Sequence, residues 1–214
     1  MKGVESLEEV AYRTIKERIV NLTYYPGMYL TETGLANELN LSRQPVRVAV
    51  RQLAMEGLIV SDYYKKLQVR KITRKDVEEI YQLREMLEGN AMRLIFRQNR
   101  EEEYSYIIEE KVVRMKATRN DKVAWEKADS QLHTAIIEVY ENDRIQKIYQ
   151  DNLTELVRIG LLSEKKQDHI KHTNERLEQM IRFMREGDFD RTYQILYEDH
   201  LILGKDMALE KITE

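Results

Sequence analysis

The chain is 214 residues long, room for one large domain or two small ones around a real core, and 42% hydrophobic against 34% charged residues. Two prolines and eight glycines fit a soluble, mainly helical protein, and the lack of cysteine excludes disulfides and thiolate chemistry, which suits a cytoplasmic location. No signal-peptide core or membrane-length apolar run is present, so no membrane partner is expected.

The net charge of −3 argues against nucleic acid until its distribution is considered. Residues 1–73 hold eleven Lys or Arg against eight Asp or Glu, and residues 74–214 hold twenty-four against thirty. Within residues 42–71 the balance is seven against two, so positive charge gathers in one part of the first segment. An acidic partner for that segment alone follows.

In chain order, Ser6-Leu7-Glu8-Glu9 reads as a capping box opening a helix to about Leu22, with Val10, Ile15, Ile19 and Val20 inward. Tyr24-Tyr25-Pro26-Gly27 breaks it, and Thr31 or Thr33 starts a short helix. Residues 35–58 then read as two helices joined at Asn40-Leu41, the second capped by the Ser42 side chain and stopped by Gly57. Val46, Ala49, Val50 and Leu53 follow helical spacing and should face inward. Arg43, Arg47 and Arg51 share an outward stripe with Gln44 beside it. Arginine grips phosphate or pairs two donors with guanine, and glutamine reads adenine, so this face suits a DNA major groove. A solvated basic helix face is the plainer alternative. Residues 58–60 and 67–70 read as a hairpin, a wing with Tyr64, Lys65 and Lys66 near its tip to lie along phosphates.

Near Ile72-Thr73 a boundary is expected, giving domains 1–73 and 74–214. Thr73 caps a new helix with Asp76 in its first turn. No strand pattern follows. Helical spacing recurs in Val77, Ile80, Leu83, Met86 and Leu87 and in later sets that include Ile145, Ile148 and Leu153. Breaks near Asn99, Asn120, Asn142, Ser163–Asp168 and Gly187 divide this half into about six helices, an all-α bundle. The fold class is therefore mainly α, a winged helix-turn-helix followed by a helical bundle.

Asp129 and His133 stand four apart, so on a helix they share a face that suits one divalent metal ion. The plainer alternative is a hydrogen-bonded helix pair. Arg84 lies on an otherwise core-facing helix, where it either clamps a carboxylate or pairs with Glu88. Arg158 and Tyr140 are further candidates for a pocket lining. No phosphate loop, nucleophile elbow or cysteine is present, so no catalytic residue is assigned. The alternatives to a DNA-binding protein are a helical metal-dependent hydrolase and a protein-interaction module with a basic docking domain.

Residues 10–72 resemble the winged helix of GntR-family bacterial transcription regulators. The resemblance rests on Tyr25-Pro26-Gly27-Met28-Tyr29-Leu30, Leu35-Ala36, Leu41-Ser42-Arg43-Gln44-Pro45-Val46-Arg47 and Leu53-Ala54-Met55-Glu56-Gly57-Leu58. It implies DNA contacts at Thr33, Ser42, Arg43, Gln44 and Arg47 and on the wing. The chain departs from the family at Val48, usually acidic, and at Lys66, usually glycine. The second half resembles the FCD effector-binding domain of the FadR-like branch, through Asp76-Val77, Ile80-Tyr81, Arg84, Leu87-Glu88, Asp129, His133 and Asn142 with Ile145, in its shorter, roughly six-helix form. That resemblance implies a homodimeric regulator, most often a repressor, whose binding to a double-stranded operator answers a small-molecule, carboxylate effector. It also implies a zinc, nickel or manganese ion held by Asp129, His133 and two later histidines. The first of those positions falls on Leu177, which cannot ligate. The second falls on Asp199, or on His200 if the loop after Gly187 is one residue longer. His169 and His172 are out of register and are expected at the surface.

Overall fold

The structure is a computed structural model that describes residues 5–61, 66–163 and 167–212. It divides into two compact units, Met1–Ile72 and Thr73–Glu214. Among the described residues no helix is long and apolar enough to cross a membrane.

The first unit begins with α1 (Leu7–Val20), where Ser6 and Glu9 bond each other's backbone N–H groups as a capping box. Its inward line is Ala11, Ile15 and Ile19, spaced by four, and Val10 and Val20 are only half-buried beside it. A short strand, β1 (Tyr29–Leu30), precedes α2 (Glu32–Leu39), which Thr31 caps through the Gly34 N–H. Asn40 adopts the left-handed conformation that closes α2 and turns the chain into α3 (Arg43–Met55). Val46, Ala49, Val50 and Leu53 of α3 are buried, α3 packs across α1, and Gly57 at φ +72° ends the helix.

Ser42 occupies the N-cap of α3 but its side chain makes no capping bond, contrary to the expectation. Pro45 removes one of the two donors such a bond can use. An N-cap oxygen takes the N–H of the second or third helical residue, and the third is Pro45, which has none.

Strands β2 (Ile59–Ser61) and β3 (Leu67–Val69) pair antiparallel, and β3 also pairs with β1 to give the order β1-β3-β2. The third strand escaped the sequence reading because two residues are too few to show alternation. Gln68 donates to the Gly27 carbonyl at 2.9 Å, tying the wing base to the turn that Gly27 makes at φ +86°. Tyr64 and Lys65 lie outside the described residues. Lys66 is exposed, its ammonium 5.8 Å from the centre of the Tyr29 ring.

The second unit is helical throughout its described residues: α4 (Arg74–Arg97), α5 (Glu101–Ala117), α6 (Lys122–Ile137), α7 (Asp143–Leu162), α8 (Gln167–Arg185), α9 (Phe189–Ile195), a π-helical segment (Leu196–Ile202) and α10 (Leu203–Lys211). Thr73 and Asp76 form a capping box at α4, and Asp121, Asn142 and Asp188 cap α6, α7 and α9. Helix α5 packs on α6 and α8, and α7 packs on α6. Trp125, Tyr149, Met92, Ile108, Met115, Leu132 and Leu177 fill the core between them.

Two expected core positions point outward, Met86 at 66% and Ile148 at 47% exposure. The inward line of α4 runs Val77, Ile80, Tyr81, Arg84, Glu88, Ala91 and Ile95, with a buried ion pair at its middle. An apolar-only search for periodicity slides off such a line onto its neighbour. Tyr149 takes the inward place in α7 that Ile148 was given, by the same shift of one residue.

Candidate functional site

Two places in the chain gather chemistry, one in each unit. On α3, Ser42, Arg43, Gln44 and Arg51 are exposed and Arg47 is half-exposed, on the side opposite the buried Val46, Ala49, Val50 and Leu53. Thr33 is exposed in the first turn of α2. The missing cap at Ser42 leaves its hydroxyl at the start of a helix, beside backbone N–H groups that have no intrahelical acceptor. That is an anion-binding arrangement. Arg47 donates through Nε to Glu32 at 3.1 and 3.3 Å, and Arg43 lies 3.9 Å from the same carboxylate.

In the bundle, α4, α6, α7, α8 and the π segment line a cavity of about 500 Å³ that opens to solvent. Its inner wall is Asp129 and His133 from α6 and His200 from the π segment, all buried, with ligating atoms within 4.8 Å of one another. The His133 and His200 rings stand edge to face, 5.1 Å between centres. Both Nε2 atoms are buried and meet no hydrogen-bond partner among the described residues. Burial and the neighbouring His133 push the His200 imidazole down to about 3, so it is neutral at ordinary pH. A neutral imidazole is the form that ligates a metal.

Behind His133 lies a buried carboxylate. Glu88 accepts from Arg84 Nε at 2.7 Å and Nη2 at 3.3 Å, and from the Tyr149 hydroxyl at 2.9 Å. Its second oxygen stands 2.7 Å from His133 Nδ1. Burial alone would raise the Glu88 carboxyl, but the Arg84 charge and then His133 overcome it and hold it well below the usual carboxylate range. The carboxylate behind an imidazole fixes its orientation and raises its basicity, as outer partners of metal-bound histidines do.

The donor set therefore suits a divalent ion: one carboxylate and two imidazoles, two buried ring nitrogens that make no hydrogen bond among the described residues, and a supporting carboxylate. Leu177, where the resemblance places another ligand, is fully buried in the hydrophobic core. Of the two alternatives at the later position, His200 is the residue inside. Asp188 caps α9 directly after Gly187, and His200 lies in the π segment. Asp199 lines the mouth, held by Arg176 Nε at 2.8 Å and 3.4 Å from His172 Nε2.

All four histidines of the chain thus stand in or beside this cavity. His172 is exposed as expected, but His169 is half-buried and lines the cavity 3.3 Å from the Thr173 hydroxyl. His169, Thr173 and Leu177 share one face of α8 by their spacing of four, which the search for a ligand at Leu177 alone overlooked. Arg84 and Tyr149 line the cavity, whereas Arg158 and Tyr140 do not. Arg158 is buried on α7, and Tyr140 donates to the Leu87 carbonyl at 2.8 Å. Sequence reasoning missed Tyr149, Glu126 and Gly160. Gly160 was the available signal, since glycine inside a helix marks a close approach. A side-chain carbon there would stand 1.7 Å from Glu126 Oε1.

Residues 79–201 match the FCD domain, and residues 7–62 match the bacterial regulatory proteins of the gntR family. The chain belongs to this gntR family, in its FCD-domain branch. Relatives of this FCD-domain chain include the HTH-type transcriptional regulator YdhC of Bacillus subtilis (strain 168), 30% identical over 141 residues, 65% of this chain and 63% of that one. The gluconate operon transcriptional repressor of the same organism is 30% identical over 145 residues, 66% of this chain and 58% of that one. The matched part is thus under two thirds of either relative's length. A putative GntR regulator from Rhodococcus sp. RHA1 shares the fold at a TM-score of 0.76 and 17% identity, over 96% of this chain and 99% of that one. E. coli McbR/YncC does so at 0.71 and 17%, over 97% and 99%. The family and its named relatives are transcriptional regulators, not enzymes, which disfavours the hydrolase reading.

Proposed function

We propose that the protein is a sequence-specific DNA-binding transcription regulator, a repressor in the cytoplasm, acting as a homodimer under control of a small-molecule effector. The observation that carries this reading is the exposed face of α3, where Ser42, Arg43, Gln44 and Arg47 stand over a buried apolar side. A helix so built enters a major groove with its first turns toward base edges, and paired copies read half-sites about one helical turn apart. Thr33 and the wing residues Tyr64, Lys65 and Lys66 add backbone contacts that set register without reading sequence.

In the bundle, Asp129, His133 and His200 would hold zinc, nickel or manganese, with Glu88 orienting His133. When bound, such an ion would supply a Lewis-acidic centre suited to a carboxylate effector. Arg84 is committed to Glu88 in a buried pair, so it supports the site from behind rather than clamping the effector. His169 and Thr173 at the cavity mouth offer the effector polar partners. An effector that binds one arrangement of the winged helices better than another shifts the population and with it operator affinity.

Arg47→Ala and Lys66→Ala separate the roles within the DNA face. Arg47→Ala should cost about 1–3 kcal/mol on a selected duplex and little on a shuffled one, while Lys66→Ala should weaken both alike. Fluorescence anisotropy on the two duplexes reads the difference. Equal losses from both variants on both duplexes would refute this division.

A further inference from the structure

Glu32 is an acid in a place where an acid is unfavourable. It stands in the first turn of α2, among the exposed cations of the α3 face, and its side chain is three-quarters buried. Beside a phosphate backbone a carboxylate repels the ligand. Its geometry shows what it does there. Both Glu32 oxygens accept from one atom of Arg47, Nε, at 3.3 and 3.1 Å. The terminal nitrogens Nη1 and Nη2 of Arg47 make no hydrogen bond to protein among the described residues.

A guanidinium presents two distinct forks, one from Nε and an adjacent Nη, the other from Nη1 and Nη2. They are aimed in different directions, and an arginine on an exposed helix otherwise swings between them at a cost in rotamer freedom. With Nε taken by Glu32, only the terminal fork remains. The pairing of Arg with guanine O6 and N7 is bidentate and planar, so it depends on which fork is offered and where it points.

We infer that Glu32 is a positioning residue for DNA reading: it holds Arg47 through Nε so that Arg47 meets a guanine edge through Nη1 and Nη2 alone. This rests on the DNA-reading role proposed for α3 and deepens it. Arg43, 3.9 Å from the same carboxylate and 62% exposed in its side chain, is held far more loosely and remains able to follow phosphate. Glu32 thereby lowers affinity for every duplex through its charge and raises discrimination at one base pair. The rival role, an acid favourable to the α2 dipole, acts on helix stability and not on one base pair.

The test is selection from a random duplex pool with the full chain, followed by sequencing, for the unaltered protein, Arg47→Ala, Glu32→Ala and Glu32→Gln. Arg47→Ala identifies the base pair that Arg47 reads. Glu32→Ala is expected to lose preference roughly tenfold at that same pair, keep it elsewhere, and bind shuffled duplex more tightly. Glu32→Gln, whose amide oxygen still accepts from Nε, should keep most of the preference while also binding shuffled duplex more tightly. Full preference at that pair in Glu32→Ala, or an even loss at all pairs, overturns the inference while leaving DNA reading intact. If the unaltered protein selects no sequence, DNA reading itself fails and the inference falls with it.

Discussion

Glu88 accepts hydrogen bonds from Arg84 and Tyr149 and faces His133, so one side chain joins α4, α7 and α6. A buried pair contributes little net stability, but breaking it from one side leaves a charge with no partner. Glu88→Ala should therefore cost about 3–5 kcal/mol in denaturant unfolding, and a companion Arg84→Met change should recover a good part of that. A loss below about 1 kcal/mol would show that Arg84 finds other compensation. Spacing of four made the Arg84–Glu88 pair legible in sequence. The arrival of Tyr149 and His133 was not legible, because each comes from a different helix and local pattern carries no distance between helices. Ser42 shows the reverse case. Pro45, three residues on, removes one of the two N–H groups that its capping bond could use.

Helix α7 comes so close to α6 at Gly160 that a methyl group there would overlap the Glu126 carboxylate. Glu126 is buried and lines the cavity. Gly160→Ala should lower stability by about 1–3 kcal/mol as overpacking does, measured by thermal or denaturant unfolding. An unchanged or raised Tm would mean that Glu126 moves aside freely. The proposed metal site belongs to this scale too, since Asp129 and His133 come from α6 and His200 from the π segment. Zinc, nickel or manganese added to chelator-stripped protein should raise Tm, and His133→Ala and His200→Ala should each abolish the rise. An equal rise in both variants would place the ion elsewhere. Helix boundaries were legible because their chemistry is local: Thr73, Asp121, Asn142 and Asp188 cap, and Gly57 and Gly187 adopt positive φ. The π segment was not, for nothing in Leu196–Ile202 distinguishes one wide turn from an ordinary helix. His200 of that segment joins Asp129 and His133, while Asp199 pairs with Arg176.

Across the whole chain, positive charge is concentrated around the helix-turn-helix and the acidic excess lies in the bundle. The two compact units divide the work in the same way, one offering an arginine-bearing helix and the other a polar cavity. The central claim is that this chain reads DNA sequence. It is tested most directly by fluorescence anisotropy of the full chain on a selected duplex and on a shuffled one of equal length, across a range of about 50 to 200 mM salt. The account predicts that the selected duplex binds roughly a thousandfold or more tightly at fixed salt, and that both affinities fall steeply as salt rises. Equal affinity for the two duplexes, or binding indifferent to salt, would contradict it.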